Sequence, residues 1–267
     1  MHVSKKLILS LICLLTFTFN SFATVLASEK CNSGAAISKF HEYFSHIEDY
    51  DVSGQVFTSD KSLVIKSNFR GVLNKFFKIS QAISQGDFEQ TFTAVYDGNY
   101  QWIESRSAGV KKISKIALGR VTKKSKPFDT GYYIMGTGLI NGEDYPGTLK
   151  FLLSNYDLAA SCSGNQFHLQ GSLNKQAYVD YIKNSSWSKN KLRSLDQFVE
   201  QFQFAEIFIN NEGELIKYSI GEDKHPIFTF KVIKSKINQG LMEGAFKFQI
   251  PENAEVEDIT KLVLSSG

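Results

Sequence analysis

The sequence predicts a mainly β fold with helices (α+β): a highly curved antiparallel sheet with helices covering its concave side. Many short segments alternate apolar and polar residues, which is typical of strands with one buried face. Closely spaced turn signals join these segments and indicate antiparallel neighbours. Apolar residues at helical spacing near the start and in the middle of the chain place helices before and between two sets of strands.

A helix is predicted directly after Cys31. Asn32 or Ser33 can cap it by accepting hydrogen bonds from the unpaired N–H groups of its first turn. Its apolar residues recur at three- and four-residue spacing and form one stripe: Ile37, Phe40, Phe44 and Ile47. This helix is expected to end near Asp49–Asp51.

Five strands are predicted next, in close succession: Val52–Thr58, Ser62–Leu73, Phe76–Ile83, Phe88–Tyr96 and Tyr100–Ser105. Asp97-Gly98-Asn99 separates the last two of them and indicates a hairpin. An Asp-Gly pair favours this turn because it accepts the positive φ angles of a type I′ turn.

The middle of the chain has a different character. A basic run without any acid extends from Lys111 to Lys126, and a Gly-rich loop follows it. Thr148 is predicted to cap a second helix, with one face formed by Leu149, Leu152, Leu153 and Tyr156. The remaining predictions here are a strand and two short helices: Gln166–Leu173, Lys175–Lys183 with an Asn174 cap, and Lys191–Phe202.

The last third of the chain returns to strands: Phe204–Ile209, Glu214–Ile220, Ile227–Ile237 and Met242–Ile250. In the fourth strand, apolar residues from Phe246 to Ile250 alternate with polar ones. Pro251 should end it, because proline has no N–H to donate to a strand ladder. Since no repeat, linker or break in composition occurs, we expect one domain after the N-terminal segment.

The N-terminal segment is typical of a secretory signal peptide. Lys5 and Lys6 precede an uncharged apolar run, and Val25-Leu26-Ala27 offers small residues for cleavage after Ala27. The expected division is therefore 1–27 signal peptide and 28–267 mature domain. Glu29-Lys30 precede Cys31 where a lipid-attachment motif needs small residues, so we expect the mature protein to be soluble and not acylated.

Charge and composition narrow the classes of function. Cleavage removes two of the 30 basic residues and none of the 27 acidic ones, which leaves a net charge of +1. A nearly neutral chain argues against general nucleic-acid binding. The 22 Phe residues indicate either an aromatic core or an apolar cavity with aromatic walls.

Two cysteines, Cys31 and Cys162, remain after cleavage. An oxidising envelope favours a disulfide between them, and a pair of free buried thiols is the alternative. In the chain-entropy model so long a loop contributes roughly 4–5 kcal/mol to stability.

Three segments resemble the LolA-like lipoprotein-carrier family. They are FKFQIPENAEVED (Phe246–Asp258), YDGNYQWIE (Tyr96–Glu104) and AEIFINNEGELIKYSI (Ala205–Ile220). The resemblance implies an unclosed barrel whose mouth is covered by helices and which shelters acyl chains. The chain departs from the family at Asn74–Lys78, which lacks the Arg-Pro pair of the classical carriers, so it resembles a distant relative.

The resemblance implies a site that binds lipid or lipoprotein acyl chains, without cofactor, metal or catalysis. The candidate wall and lid residues are Phe92, Trp102, Leu149, Leu152, Leu153, Phe228, Phe230, Phe246 and Phe248. For each of them, ordinary core packing is the alternative. Contact with anionic headgroups is assigned to the basic run: Lys111, Lys112, Lys123 and Lys124. A solvated edge strand kept soluble by lysine is the alternative there.

The predicted function is a periplasmic carrier that moves lipid or lipoprotein cargo across the envelope, with transient contact to the membrane surface or membrane transport proteins. Two alternatives stay open: a non-catalytic envelope interaction module whose barrel is filled by its own side chains, and a secreted hydrolase. A zinc helix is disfavoured because His41 and His46 are five residues apart, about 140° around a helix. Cys162 and His168 lack the local signature of a nucleophile–base pair.

We expect the mature chain to start at Ser28 and to contain a Cys31–Cys162 disulfide. The intact mass of envelope-derived protein, alkylated with and without prior reduction, checks both points. The expected masses correspond to loss of residues 1–27 and to alkylation only after reduction. Two thiols that react without reductant would contradict the disulfide.

Overall fold

The structure, a computed structural model, describes residues 33–73, 75–117, 145–184, 199–222 and 225–261. The predicted signal peptide, Cys31, Lys123 and Lys124 lie outside the described residues, as do the Gly-rich loop and most of the helix predicted at Lys191–Phe202.

Twelve strands form one sheet. They are β1 (Asp49–Thr58), β2 (Val64–Val72), β3 (Phe76–Gln85), β4 (Phe88–Tyr96), β5 (Tyr100–Ser107), β6 (Val110–Ala117), β7 (Tyr156–Ser163), β8 (Gln166–Leu173), β9 (Phe204–Asn210), β10 (Leu215–Glu222), β11 (His225–Ile237) and β12 (Val256–Asp258). Their order is β12-β6-β5-β4-β3-β2-β1-β11-β10-β9-β8-β7, and the pair β12–β6 is parallel whereas the others are antiparallel. The predicted fold class, one large curved and unclosed antiparallel sheet with helices, is confirmed.

Two antiparallel meanders meet at the centre of this sheet. Strands β1 to β6 form the first and β7 to β11 the second, and β1 joins them because it pairs with β2 on one side and β11 on the other. Along β1 and β2, Val52 lies opposite Phe69, which lies opposite Ile79 of β3. These three buried residues mark what we call the inner face of the sheet, and the opposite side is the outer face.

Three helices belong to the inner-face core: α1 (Ser33–Ser45), α2 (Tyr145–Asn155) and α3 (Lys175–Asn184). Asn174 caps α3 as predicted, because its Oδ1 accepts from the N–H of Ala177 at 2.9 Å. The prediction for α2 was wrong in detail. Thr148 lies inside the helix rather than at its cap, and Tyr156 begins β7.

The start of α1 is attached to β7. Ser33 Oγ accepts a hydrogen bond of 2.7 Å from the N–H of Ala160, two residues before Cys162. This hydrogen bond attaches the first described residue of α1 to the strand that carries Cys162. Because Cys31 lies outside the described residues, the disulfide stays a prediction.

The strand predicted at Met242–Ile250 was wrong. The segment contains a 3-10 helix, Glu243–Phe246, and then runs extended without ladder pairing. Phe246 stacks on Phe76 of β3 at 5.6 Å between ring centroids, and Phe248 stacks on Trp102 of β5 at 5.3 Å. Alternate residues of the segment thus pack on the outer face of the sheet, which produces the same period of two as a strand.

Other differences concern the connections. β7 and β12 were not predicted as strands. β6 was considered only as the alternative for the basic run, an edge strand, and it is not an edge because β12 pairs with it at Val256–Asp258. The turn at Asp97–Asn99 is a hairpin, but not of type I′. Gly98 has φ of 96° whereas Asp97 has no positive φ, and the Asp97 carboxylate accepts from the N–H groups of Asn99 and Tyr100.

A reciprocal hydrogen-bonded junction fixes one end of the β1–β11 pair, where β1 begins and β11 ends. The buried Asp49 carboxylate accepts from the N–H groups of Gln239, Gly240 and Leu241 at 2.8, 2.8 and 3.3 Å. Asn238 Oδ1 in turn accepts from the N–H groups that begin β1, at 2.8 Å from Glu48 and 3.3 Å from Asp49. The junction therefore sets the point at which the chain leaves β11 for the outer face.

Asp49→Ala should lower the free energy of unfolding by about 2–4 kcal/mol, because it leaves three partly buried N–H groups without their charged acceptor. Chemical denaturation checks this. Asp60→Ala is the control, because Asp60 also accepts from a backbone N–H, that of Ser62, but in an exposed turn. Its loss should be clearly smaller, and equal losses would contradict a special role for the junction.

Candidate functional site

The inner face brings together residues from both meanders and all three helices in one apolar core. Two strand glycines make room for aromatic rings on this face. A Cβ on Gly54 would lie 2.5 Å from the Phe230 ring, and one on Gly71 would lie 2.4 Å from the Tyr50 ring. Glycine inside a strand often marks such a close approach, so these two positions were the signal that sequence reasoning missed.

Three predicted wall residues lie on the inner face. Phe230 is fully buried, with ring centroids of Tyr218 and Phe69 at 5.5 and 6.0 Å. Phe228 is partly buried and lies 6.3 Å from Tyr218. Phe92 is also partly buried and joins the main core to a smaller cluster around Ile103 and Ile116. The inner face is thus an aromatic surface that extends across both meanders.

The predicted lid residues lie on α2, which is buried around most of its circumference. Leu149 and Leu152 are fully buried, and Leu153 is partly buried against the same core. Such a helix, apolar on nearly all sides, is expected in a core rather than at a surface.

Helix α2 also carries buried polar atoms that sequence reasoning missed. Within the described residues, Thr148 Oγ1 and Asn155 Oδ1 have no hydrogen-bond partner, although Asn155 Nδ2 donates to the carbonyl of Phe151 at 3.0 Å. Each unpaired buried polar atom costs about 1–3 kcal/mol relative to its hydrated state. Helix α2 therefore combines strong apolar burial with local penalties that hydration would relieve.

The other three predicted wall residues lie elsewhere. Trp102, Phe246 and Phe248 are on the outer face, where Trp102 stacks on Phe248 and its Nε1 donates to Asp97 Oδ2 at 2.9 Å. The structure therefore does not bring these three together with Phe92, Phe228 and Phe230. Sequence alternation marked all six as facing one side of a strand, but it could not say which side.

The inner face and helices pack closely. The fully buried Leu149, Leu152 and Phe230 fill the space between them in the described part of the chain. A pocket of about 10 Å³ lies apart from α2, lined by residues of β9, β10 and β11 that include Glu206, Ser219 and His225. That volume approaches what one water molecule needs and is far below the several hundred Å³ of a usual ligand pocket.

The basic run has partners that its sequence neighbourhood does not show. Lys111 Nζ lies 3.2 Å from Glu104 Oε2 of the adjacent strand, and Lys115 Nζ lies 3.7 Å from Asp258 of β12. Lys112 is exposed. Although no acid occurs within the run, acids brought in by β5 and β12 reduce the positive field of its described part.

The described residues offer neither a metal-binding cluster nor a membrane-spanning helix. Among them, no group of three or more His, Cys, Asp or Glu side chains is placed to hold a metal ion. None of the helices among the described residues is long and apolar enough to cross a membrane.

Comparisons with known proteins give matches at the level of structure. No protein-family model and no curated protein sequence matches the chain. LprF from Mycobacterium bovis aligns with a TM-score of 0.41 and 9% identity, over 84% of this chain and 99% of that one. A LolA superfamily protein, NE2245 from Nitrosomonas europaea, aligns with a TM-score of 0.30 and 11% identity, over 81% and 97%. The fold class itself rests on the strand order and helix placement described above.

Burial raises the pKa of three tyrosines of the inner-face core. The pKa of Tyr145 lies well above 10, and those of Tyr156 and Tyr218 are also raised, in each case mainly by desolvation. Neighbouring tyrosines add to the shift because a second phenolate would repel the first.

We expect stability to be full below about pH 10 and to fall above it, because the unfolded chain then releases tyrosine protons that the folded chain retains. The fall should reach about 1.4 kcal/mol per pH unit for each of these tyrosines. Denaturation at neutral pH and above pH 10 measures it, and Tyr145→Phe should reduce the slope. Tyrosinate absorbance from all three tyrosines in protein that is still folded would contradict this prediction.

Proposed function

We propose that the protein is a non-catalytic carrier that binds lipid or lipoprotein acyl chains against the inner face, after α2 moves away from it. The observation that supports this proposal is the character of α2. The helix covers an aromatic surface with Leu149 and Leu152 and yet holds Thr148 Oγ1 and Asn155 Oδ1 without partners. A segment that is permanently part of a core rarely retains such atoms.

The energetics of exchange are favourable for an acyl chain. Opening hydrates the polar atoms of α2 and exposes the core rings against which this helix packs, among them Tyr50, whose ring centroid lies 6.0 Å from that of Tyr145. An acyl chain can then cover these rings. Burial of each methylene contributes about 0.8 kcal/mol, so ten of them contribute about 8 kcal/mol. The arrangement seen here, in which the protein's own side chains fill the space beneath α2, would then be the carrier without bound cargo.

The proposal includes the envelope. The predicted signal peptide would deliver the protein to the periplasm, where it would move cargo between membranes or membrane proteins. The mature domain would work there without a cofactor. Contact of the basic run with anionic headgroups remains part of this proposal for Lys112, Lys123 and Lys124, whereas Lys111 is already paired with Glu104.

A second candidate function is supported by the same tight packing. A barrel that is permanently filled by its own side chains would be an envelope interaction module without cargo. The full burial of Leu149, Leu152 and Phe230 favours this second candidate. The two candidates differ in whether the protein carries lipid and in whether α2 opens.

Native mass spectrometry of protein purified from its own envelope tests the carrier directly, and we expect co-purified lipid. Thr148→Val then tests the role of α2. Removal of the unpaired hydroxyl should stabilise the closed form by about 1–2 kcal/mol. It should also weaken the binding of a fluorescent fatty-acid probe roughly fivefold to thirtyfold, because the open form becomes rarer.

Ser154→Ala is the matched control, because it removes an exposed hydroxyl from the same helix. It should leave probe binding unchanged. Phe248→Ala provides a second comparison, since it removes an apolar ring from the outer face and should spare probe binding. Absence of both lipid and probe binding would overturn the carrier and favour the filled module.

A further inference from the structure

The outer face carries a cluster of basic residues that the linear sequence does not reveal. We call it the outer basic surface, and its members come from four strands on the two sides of β1, which itself contributes none: Lys66 and Arg70 of β2, Lys78 of β3, Lys217 of β10, and Lys231, Lys234 and Lys236 of β11. They are up to 170 residues apart in sequence, so no basic run marks them.

Strand register places these residues side by side. Gln55 lies opposite Lys66 on one side and opposite Lys231 on the other, and Lys231 lies opposite Lys217. Neighbouring strands are about 4.8 Å apart, so this row spans roughly 15 Å from Lys66 to Lys217. Like charges directly opposite one another destabilise a sheet. The fold therefore gains nothing from this arrangement, which favours a partner of opposite charge.

Few of these charges are compensated. Arg70 pairs with Asp51 at 2.6 Å, and Lys217 lies over the ring of Phe208 at 4.1 Å from its centroid. Among the described residues, Lys66, Lys231 and Lys234 take part in no ion pair, and all three are exposed. A chain with a net charge of +1 after the predicted cleavage thus has much of its positive field on one face.

An exposed apolar side chain lies within this surface. The register between β1 and β11 shifts between Ser53 and Gly54, and Ile233 is left without a partner. Its side chain lies between Lys231 and Lys234 in sequence, and the residue is 63% exposed. A β-bulge commonly re-aims a side chain, and here the result is an apolar residue surrounded by cations.

We propose that the outer basic surface docks the protein on an anionic lipid bilayer. The lysines match phosphate-bearing headgroups, each contributing attraction at the membrane surface, and Ile233 enters the interfacial layer between them. The exposed isoleucine favours a bilayer over an acidic protein, which would need only the charges. This docking does not depend on carriage of cargo.

The test uses protein expressed from the full sequence and processed by its host, with vesicles of phosphatidylglycerol and phosphatidylcholine and vesicles of phosphatidylcholine alone. The triple variant Lys66→Gln, Lys231→Gln and Lys234→Gln should weaken binding to the anionic vesicles on the order of 100-fold. The corresponding arginine variant should bind like the wild type. Ile233→Ser should weaken binding several-fold, with the melting temperature preserved in each variant.

The matched control removes the same charge from exposed lysines outside this surface: Lys75→Gln, Lys150→Gln and Lys183→Gln. It should change anionic vesicle binding by less than about tenfold, because the local field is intact. Equal losses in the two triple variants would overturn the proposal. Wild-type binding to the anionic vesicles by Ile233→Ser would also overturn it, because the proposal places this side chain in the interfacial layer.

Discussion

The pairing of β1 with β11 is the constraint on which the rest of the sheet depends. Tyr50 lies opposite Ile237, so this pairing joins residues that are separated by most of the described chain. Closing so long a loop costs conformational entropy that each local hairpin avoids, and topologies dominated by such contacts fold slowly. Either meander alone would expose an unpaired strand and half of the aromatic inner face. The sheet, the inner face and the outer basic surface therefore exist only when β1 and β11 are joined.

The structure supports this pairing at three points. At one end the Asp49 carboxylate and the Asn238 side chain exchange hydrogen bonds with backbone N–H groups of the opposite strand's flank. In the middle Gly54 leaves space for the ring of Phe230. Beside Gly54 the register shift frees Ile233 from the ladder. One irregularity thus serves both faces, since it lets an aromatic ring pack inside and presents an apolar side chain outside.

Most strands could be predicted from the sequence because their alternation is local and reflects one buried face. Phe88–Tyr96 and Gln166–Leu173 were predicted with the bounds that the structure has. The segment around Phe246 failed because an extended chain that packs on a sheet has the same period as a strand. The candidate site was predictable only in part. Phe230 and Trp102 have equivalent patterns in sequence, and register over long distances decides that one faces the helices and the other faces outward. The outer basic surface has no local pattern at all.

The course of the chain after β11 has a consequence for association between molecules. An unclosed sheet has two edges, and an edge with free N–H and C=O groups invites pairing with another sheet. The chain crosses the outer face, where Phe246 and Phe248 stack on rings of the sheet, and then runs beside β6. There a strand of only three residues, Val256–Asp258, pairs with β6 in parallel orientation and covers that edge. Thr260 Oγ1 then accepts from the N–H of Ala117, the last residue of β6. A stretch of chain with little regular structure of its own thereby protects the protein against edge-to-edge aggregation.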